Sequence, residues 1–303
     1  FAGDAVTTGL ANTAIGYNAL SGEDGHGYNT AVGHGALKVQ DAGANAYNVA
    51  VGASAGLSVT TGIYNTLVGG LSGDALTIGN SNVAVGYAAL TSEIQGDRNV
   101  AVGVAALQSQ SNSSDVDAFN TAVGYYAGQQ VTTGTNNVIV GGLAGDALTT
   151  GSYNTALGLG ALGSEDAHGR NVAIGYLALT TQDAGADAYN VAIGFSAGQS
   201  ITTGIVNTII GGLAGDALTT GQANVAIGGE ALSNETDSHS SVAIGYQALA
   251  TQDASSGTNT YNVAVGRSAG LSVTTGIRNT LVGGLTGDAI TTGNYNVALG
   301  YTA

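Results

Sequence analysis

The chain of 303 residues has no cysteine, methionine, tryptophan or proline. Without cysteine there is neither a disulfide frame nor a thiolate metal site, and nothing to mark a redox compartment. Without proline no strand is denied its backbone donor, which suits an uninterrupted hydrogen-bonded ladder. Cations are also scarce: Lys38, Arg98, Arg170, Arg267 and Arg278 stand against 20 acids, for a net charge of −15. Phosphate recognition needs clustered cations, so nucleic acid and anionic lipid surfaces are excluded as partners. No apolar run approaches the length of a transmembrane helix, so this segment does not insert into a membrane. No signal peptide is legible at Phe1, which says nothing about secretion. Phe1-Ala2-Gly3-Asp4-Ala5 reads as the tail of a coil, so the chain is expected to be a segment of a longer repeat protein.

What is abundant is glycine, 51 residues with no collagen triplet, which fits tight corners where φ must be positive. It belongs to a phrase that returns seventeen times: Asn, Thr or Val, a small or apolar residue, Ile, Val or Leu, then Gly. The first copy is Asn12-Thr13-Ala14-Ile15-Gly16 and the last Asn296-Val297-Ala298-Leu299-Gly300. Position one is Asn12, Asn29, Asn48, Asn65, Asn82, Asn99, Asn120, Asn137, Asn154, Asn171, Asn190, Asn207, Asn224, Asn262, Asn279 and Asn296, and it fails only at Ser241. The gaps run 17, 19, 17, 17, 17, 21, 17, 17 and then repeat, giving tandem blocks of 142 residues at about 12–153 and 154–295. A short period alternating small and apolar residues predicts an all-β fold, a parallel β-solenoid of about 17 coils of 17–21 residues. Residues 1–303 are expected to form one continuous solenoid segment.

Alternation along the pentad places Thr13 and Ile15 on one face and Asn12 and Ala14 on the other. The unfailing Ile, Val or Leu at position four is expected to be the inner column. Position three is mostly Ala and grows only at Leu67, Ile139, Ile209 and Leu281, once in each four-coil cycle. No pentad carries a charge, as a ladder of stacked side chains requires. Stacked Asn is different, because amides hydrogen-bond along the stack, and the column reads as a structural ladder or turn cap.

The phrase Asn-x-Ala-Ile-Gly-Tyr-x-Ala, clearest at Asn12 to Ala19, Asn171 to Ala178 and Val242 to Ala248, resembles the head repeat of trimeric autotransporter adhesins, the YadA-like family. It is also similar to repeats of phage tail fibres. The resemblance implies a left-handed β-roll, three chains side by side and adhesive work at a bacterial surface. The coils here are longer than those head repeats and follow a four-coil cycle that the family lacks.

Several clusters invite functional readings. Gly-Gly-Leu-Ala-Gly-Asp-Ala-Leu-Thr at 141–149 and 211–219 is close to a calcium-binding nonapeptide, which makes Asp74, Asp146, Asp216 and Asp288 candidate metal ligands. These recur only every four coils, about 19 Å apart at ~4.8 Å per coil, so turn capping is the expected role and calcium needs ligands from another chain. Glu23-Asp24-Gly25-His26 matches Glu165-Asp166-Ala167-His168, with Glu235, Asp237 and His239 a looser copy; these read as solvated loops, with a metal the sharper alternative. Thr60-Thr61, Thr132-Thr133, Thr202-Thr203 and Thr274-Thr275 suggest ice binding, although the pairs mark only two coils in four. Tyr17, Tyr87, Tyr176 and Tyr246, each just after a pentad Gly, are candidate surface-binding aromatics, alternatively packed at corners. No catalytic grouping stands out, and no cofactor other than calcium is indicated. The expected function is an extracellular or cell-surface structural and adhesive fibre (or a virion tail fibre). It would pair with itself as a trimer or filament and meet a glycan or receptor; a calcium-dependent secreted solenoid and an ice-binding solenoid are the alternatives.

Overall fold

The computed structural model describes residues 1–254 and 257–303. It is an all-β parallel β-solenoid: seventeen three-residue strands, from Thr13–Ile15 to Val297–Leu299, occupy positions two to four of the seventeen pentads. No helix occurs among the described residues. The chain forms two compact units, Phe1–Ser152 with eight strands and Tyr153–Ala303 with nine. Within each unit successive strands pair in parallel without slippage, so that Val83, Ala84 and Val85 face Val100, Ala101 and Val102. The strands are short because each turn must also close its corners. At these corners non-glycine residues such as Ala88, Leu90 and Arg98 hold φ near +55°. The corners continue the ladder outside the strands, as in Leu20 N–H to the Ala36 carbonyl (2.9 Å) and Leu90 N–H to that of Ala106 (3.0 Å).

The pentad glycine is invariant for a steric reason. Gly86 has φ of +138°, and a methyl there would sit 2.3 Å from the carbonyl oxygen of Gly103 in the next coil. No side chain fits such an approach.

Which face points inward is the reverse of the sequence expectation. The middle residue of the pentad strand is buried in all but the terminal strands, whereas positions two and four are half-buried or exposed in every one. The Ile, Val or Leu column is therefore an outer column, and the inner wall is Asn and Ala. A turn of about seventeen residues encloses a core only thick enough for small side chains from the strand. The bulk comes from the opposite wall, at Leu20, Leu37, Leu90 and Leu107, all fully buried.

The four-coil cycle is a volume exchange within that core. Where the opposite wall loses its leucine to glycine, at Gly56 and Gly73, the strand supplies Leu67 instead. A methyl added at Gly56 or Gly73 would stand 2.7 or 2.8 Å from the Leu67 side chain. The same exchange couples Gly128 and Gly145 to Ile139, and Gly270 and Gly287 to Leu281. Interiors packed to crystal-like density require such compensation, because an unfilled methyl-sized space or an extra methylene is felt directly.

Candidate functional site

The Asn column runs through the core. From Asn29 to Asn279 each of its asparagines is buried. Most of these side chains work in two directions, as at Asn65, whereas Asn29 Nδ2 and Asn99 Nδ2 donate to Glu23 Oε2 and Asn82 Oδ1 and Asn171 Nδ2 has no partner. Asn65 Oδ1 accepts from the backbone N–H of Asn82 in the next coil (2.9 Å), and its Nδ2 donates to the carbonyl of Gly79 at the far corner of its own coil (2.9 Å). Asn48 repeats this with Asn65 N–H and the Gly62 carbonyl, and Asn207 with Asn224 N–H and the Gly221 carbonyl. At the one break, Ser241, the neighbouring Thr260 hydroxyl and Gln252 Nε2 fill the place with hydrogen bonds to Ser241 Oγ. A column so enclosed is closed to ligands; its chemistry is that of a staple.

The rim carries aromatic and cationic stacks at the residue before many of the asparagines. Tyr28, Tyr47 and Tyr64 stack in successive coils with ring centroids 4.8 and 5.8 Å apart. Arg170 stands between the rings of Tyr153 and Tyr189, 5.7 and 5.5 Å from their centroids, and pairs with Asp187. Arg98 pairs with Asp117 and covers Phe119, and Arg278 covers Tyr295. The tyrosines after the glycine are exposed. Tyr17 stacks on His34 (5.5 Å) and Tyr176 on Phe195 (5.2 Å), while Tyr87 and Tyr246 lie against Gly70 and Gly229 of the adjoining coils.

Asp74, Asp146, Asp216 and Asp288 are not brought together. Among the described residues none of the four belongs to a group of three or more metal-ligating side chains. Burial pushes the Asp146 and Asp216 carboxyls above the ordinary range, against hydrogen bonds from their own backbone N–H groups, as in a turn cap. The first residue of each Thr pair is engaged within the fold: Thr60, Thr132, Thr202 and Thr274 each donate a hydroxyl to a carbonyl of the next coil.

Sequence reasoning missed one column entirely. Eleven residues after each Asn the chain points inward, and that position cycles as Glu23, Gln40, Val59 and Leu76, then Glu93, Gln110, Val131 and Leu148. Glu165, Gln182, Ile201 and Leu218, and then Glu235, Gln252 and Val273, continue it. Glu23, Glu93, Glu165 and Glu235 are fully enclosed, so the corners read as solvated loops hold buried carboxylates. A buried carboxylate must be supplied with donors, and Glu93 is. Its Oε1 accepts from the backbone N–H groups of Ile94 (2.9 Å), Gln95 (3.1 Å), Gly96 (2.7 Å) and Asn112 (3.1 Å). Its Oε2 accepts from Gln110 Nε2 and Asn112 Nδ2, both at 2.9 Å. The signal that could have revealed this column was its phase, since the same position is Val or Leu in alternate pairs of coils.

The outward strand face is a uniform surface. In the first unit positions two and four present Thr or Val beside Ile or Val in eight consecutive strands, with no charged residue among them. At ~4.8 Å per strand that strip is about 34 Å long. No helix long and apolar enough to cross a membrane is present among the described residues. No protein-family model matches the chain, and no curated protein matches it.

Proposed function

We propose that this chain is a structural shaft segment of an extracellular fibre, which associates with further copies of itself through the outward strand face. The observation that carries the reading is the inverted burial of the pentad. A β-branched aliphatic column that the fold could have hidden is displayed instead, in eight consecutive strands of the first unit and without charge. Contiguous apolar strips of this kind mark interaction surfaces. The occupant best matched to it is a second copy. The net charge of −15 lies outside the pentads, so like chains meet along this strip without opposing charges. A strip repeating every coil is also complementary to itself in register. The resemblance to adhesin and tail-fibre repeats points the same way, toward a trimer or lateral bundle. In that arrangement the exposed Tyr and Arg rim is left for a glycan or receptor. The reading assigns the chain no catalysis.

Light scattering on the purified chain tests this, with Val85→Lys/Val102→Lys as the probe. These two half-buried side chains sit on adjacent strands of the face. The wild type is expected to be a discrete oligomer or filament, and the variant to shift toward monomer with its β circular dichroism intact. A wild-type chain that stays monomeric at high concentration refutes the proposal.

A further inference from the structure

The four buried glutamates occupy equivalent corners, which makes the two pairs internal controls for one another. Glu93 is saturated with donors, and Glu235 is nearly so. Glu235 Oε1 accepts from Thr236, Asp237 and Ser238 N–H at 3.0, 3.2 and 2.9 Å, and its Oε2 from Gln252 Nε2 at 2.9 Å. At Glu23 and Glu165 the same Oε1 receives one backbone N–H, from His26 (2.9 Å) and His168 (3.1 Å). Glu165 Oε2 is enclosed and has no hydrogen-bond partner, although Glu165 is fully buried. Glu23 Oε2 meets only Asn29 Nδ2, at 3.5 Å. The glutamine that serves the carboxylate in the saturated corners does not do so here. Gln182 Nε2 turns to the Thr202 carbonyl (3.0 Å), and Gln40 Nε2 has no partner.

In place of those donors stands an imidazole. His26 Nδ1 and His168 Nδ1 each lie 3.6 Å from the glutamate Oε1, and each is enclosed without a hydrogen bond. Two aspartates complete each cluster: the ligand atoms of Glu23, Asp24, His26 and Asp41 lie within 4.8 Å of one another, as do those of Glu165, Asp166, His168 and Asp183. Donors about 2.1 Å from a common ion are at most ~4.2 Å apart, so a small movement of the exposed aspartates closes the sphere. We infer that Glu165, His168 and Asp183 with Asp166, and likewise Glu23, His26 and Asp41 with Asp24, are two equivalent sites for a divalent first-row transition cation such as Zn²⁺. One imidazole nitrogen with carboxylate oxygens is a ligand set for such ions, whereas calcium and magnesium take oxygen alone. Glu165, Asp166 and Asp183 bring three carboxylates together at this corner. A cation relieves that crowding of negative groups. It also ties the Glu–His corner of one coil to the aspartate of the next, across 18 residues of chain.

Calorimetric titration of the chelator-stripped full chain with Zn²⁺ at neutral pH tests the inference. Two equivalents per chain are expected, with His26→Gln and His168→Gln each removing one, or weakening it by about tenfold or more, and the double variant removing both. Asp253 lies with Asp237 beside Glu235, a cluster without histidine, and Asp253→Asn leaves both sites intact. Co²⁺ binding to the unaltered chain supplies a readout that needs no variant, since ligation changes the visible spectrum of that ion. Absence of saturable Zn²⁺ binding, two sites persisting in the double histidine variant, or Ca²⁺ binding as tightly as Zn²⁺ each overturns the assignment. The first of these would leave the histidines as close neighbours of the glutamates only.

Discussion

Removing one asparagine from the middle of the ladder isolates what licenses a polar wall inside this solenoid. In Asn65→Ala the carbonyl of Gly79 loses its donor and the N–H of Asn82 loses its acceptor, and both residues are buried. An orphaned buried polar group costs about 1–3 kcal/mol, so the two together cost about 2–6 kcal/mol. Repeat arrays do not unfold in a strictly two-state manner, so the loss is best read locally. The assay is amide hydrogen exchange at Asn82 and along the Thr66–Val68 strand, with urea unfolding in parallel. A loss of 2 kcal/mol accelerates exchange through local opening by roughly 30-fold, and a larger loss by more. Asn65→Asp separates hydrogen bonding from packing. Its carboxylate still accepts from Asn82 N–H but sets a charged acceptor against the Gly79 carbonyl, so destabilisation at neutral pH should match or exceed that of the alanine variant. Protonation restores a donor, and acidification should recover part of the loss. Exchange in Asn65→Ala within about threefold of the wild type would refute the reasoning, because water or slack in the corner would then be satisfying both groups.

Two further perturbations test other parts of the fold. Gly86→Ala combines a φ of +138° with a methyl 2.3 Å from a backbone oxygen; a loss above about 3 kcal/mol in urea unfolding is expected, at the upper end for point substitutions. Asp216→Asn keeps an acceptor at the turn and removes a charge that burial disfavours. Because the folded-state pKa is raised above 3.8, the wild type's penalty is present at neutral pH and disappears as the pH falls below the unfolded value. The variant should therefore melt about 1–2 °C higher near pH 7 and coincide with the wild type in acid.

The period, the parallel register and the Asn and Gly columns are all legible in the sequence because each is a single residue type recurring at a fixed place. The direction of the pentad is not, because alternation distinguishes two faces without saying which is inside. Hydrophobicity alone favours the Ile, Val or Leu column, and volume overrules it. The telling positions are Leu67, Ile139, Ile209 and Leu281, where position three enlarges only in the coils that carry Gly73, Gly145, Gly215 and Gly287 across the core.

The buried glutamates escaped for a related reason. Read along one coil, Glu-Asp-Gly-His is a polar loop. Read down the stack, the same position is Val59, Leu76, Val131 and Leu148, and a position that is aliphatic in half its coils faces inward. In a solenoid the column is the unit that sees a constant environment, and a charged residue in such a column is evidence of a supplied site. Both inversions act together. Polar asparagine and glutamate take up the interior and the aliphatics are displaced to the outer face. The apolar surface the chain displays is thus set by where its aliphatic residues point, and a composition of 44% hydrophobic residues does not reveal it.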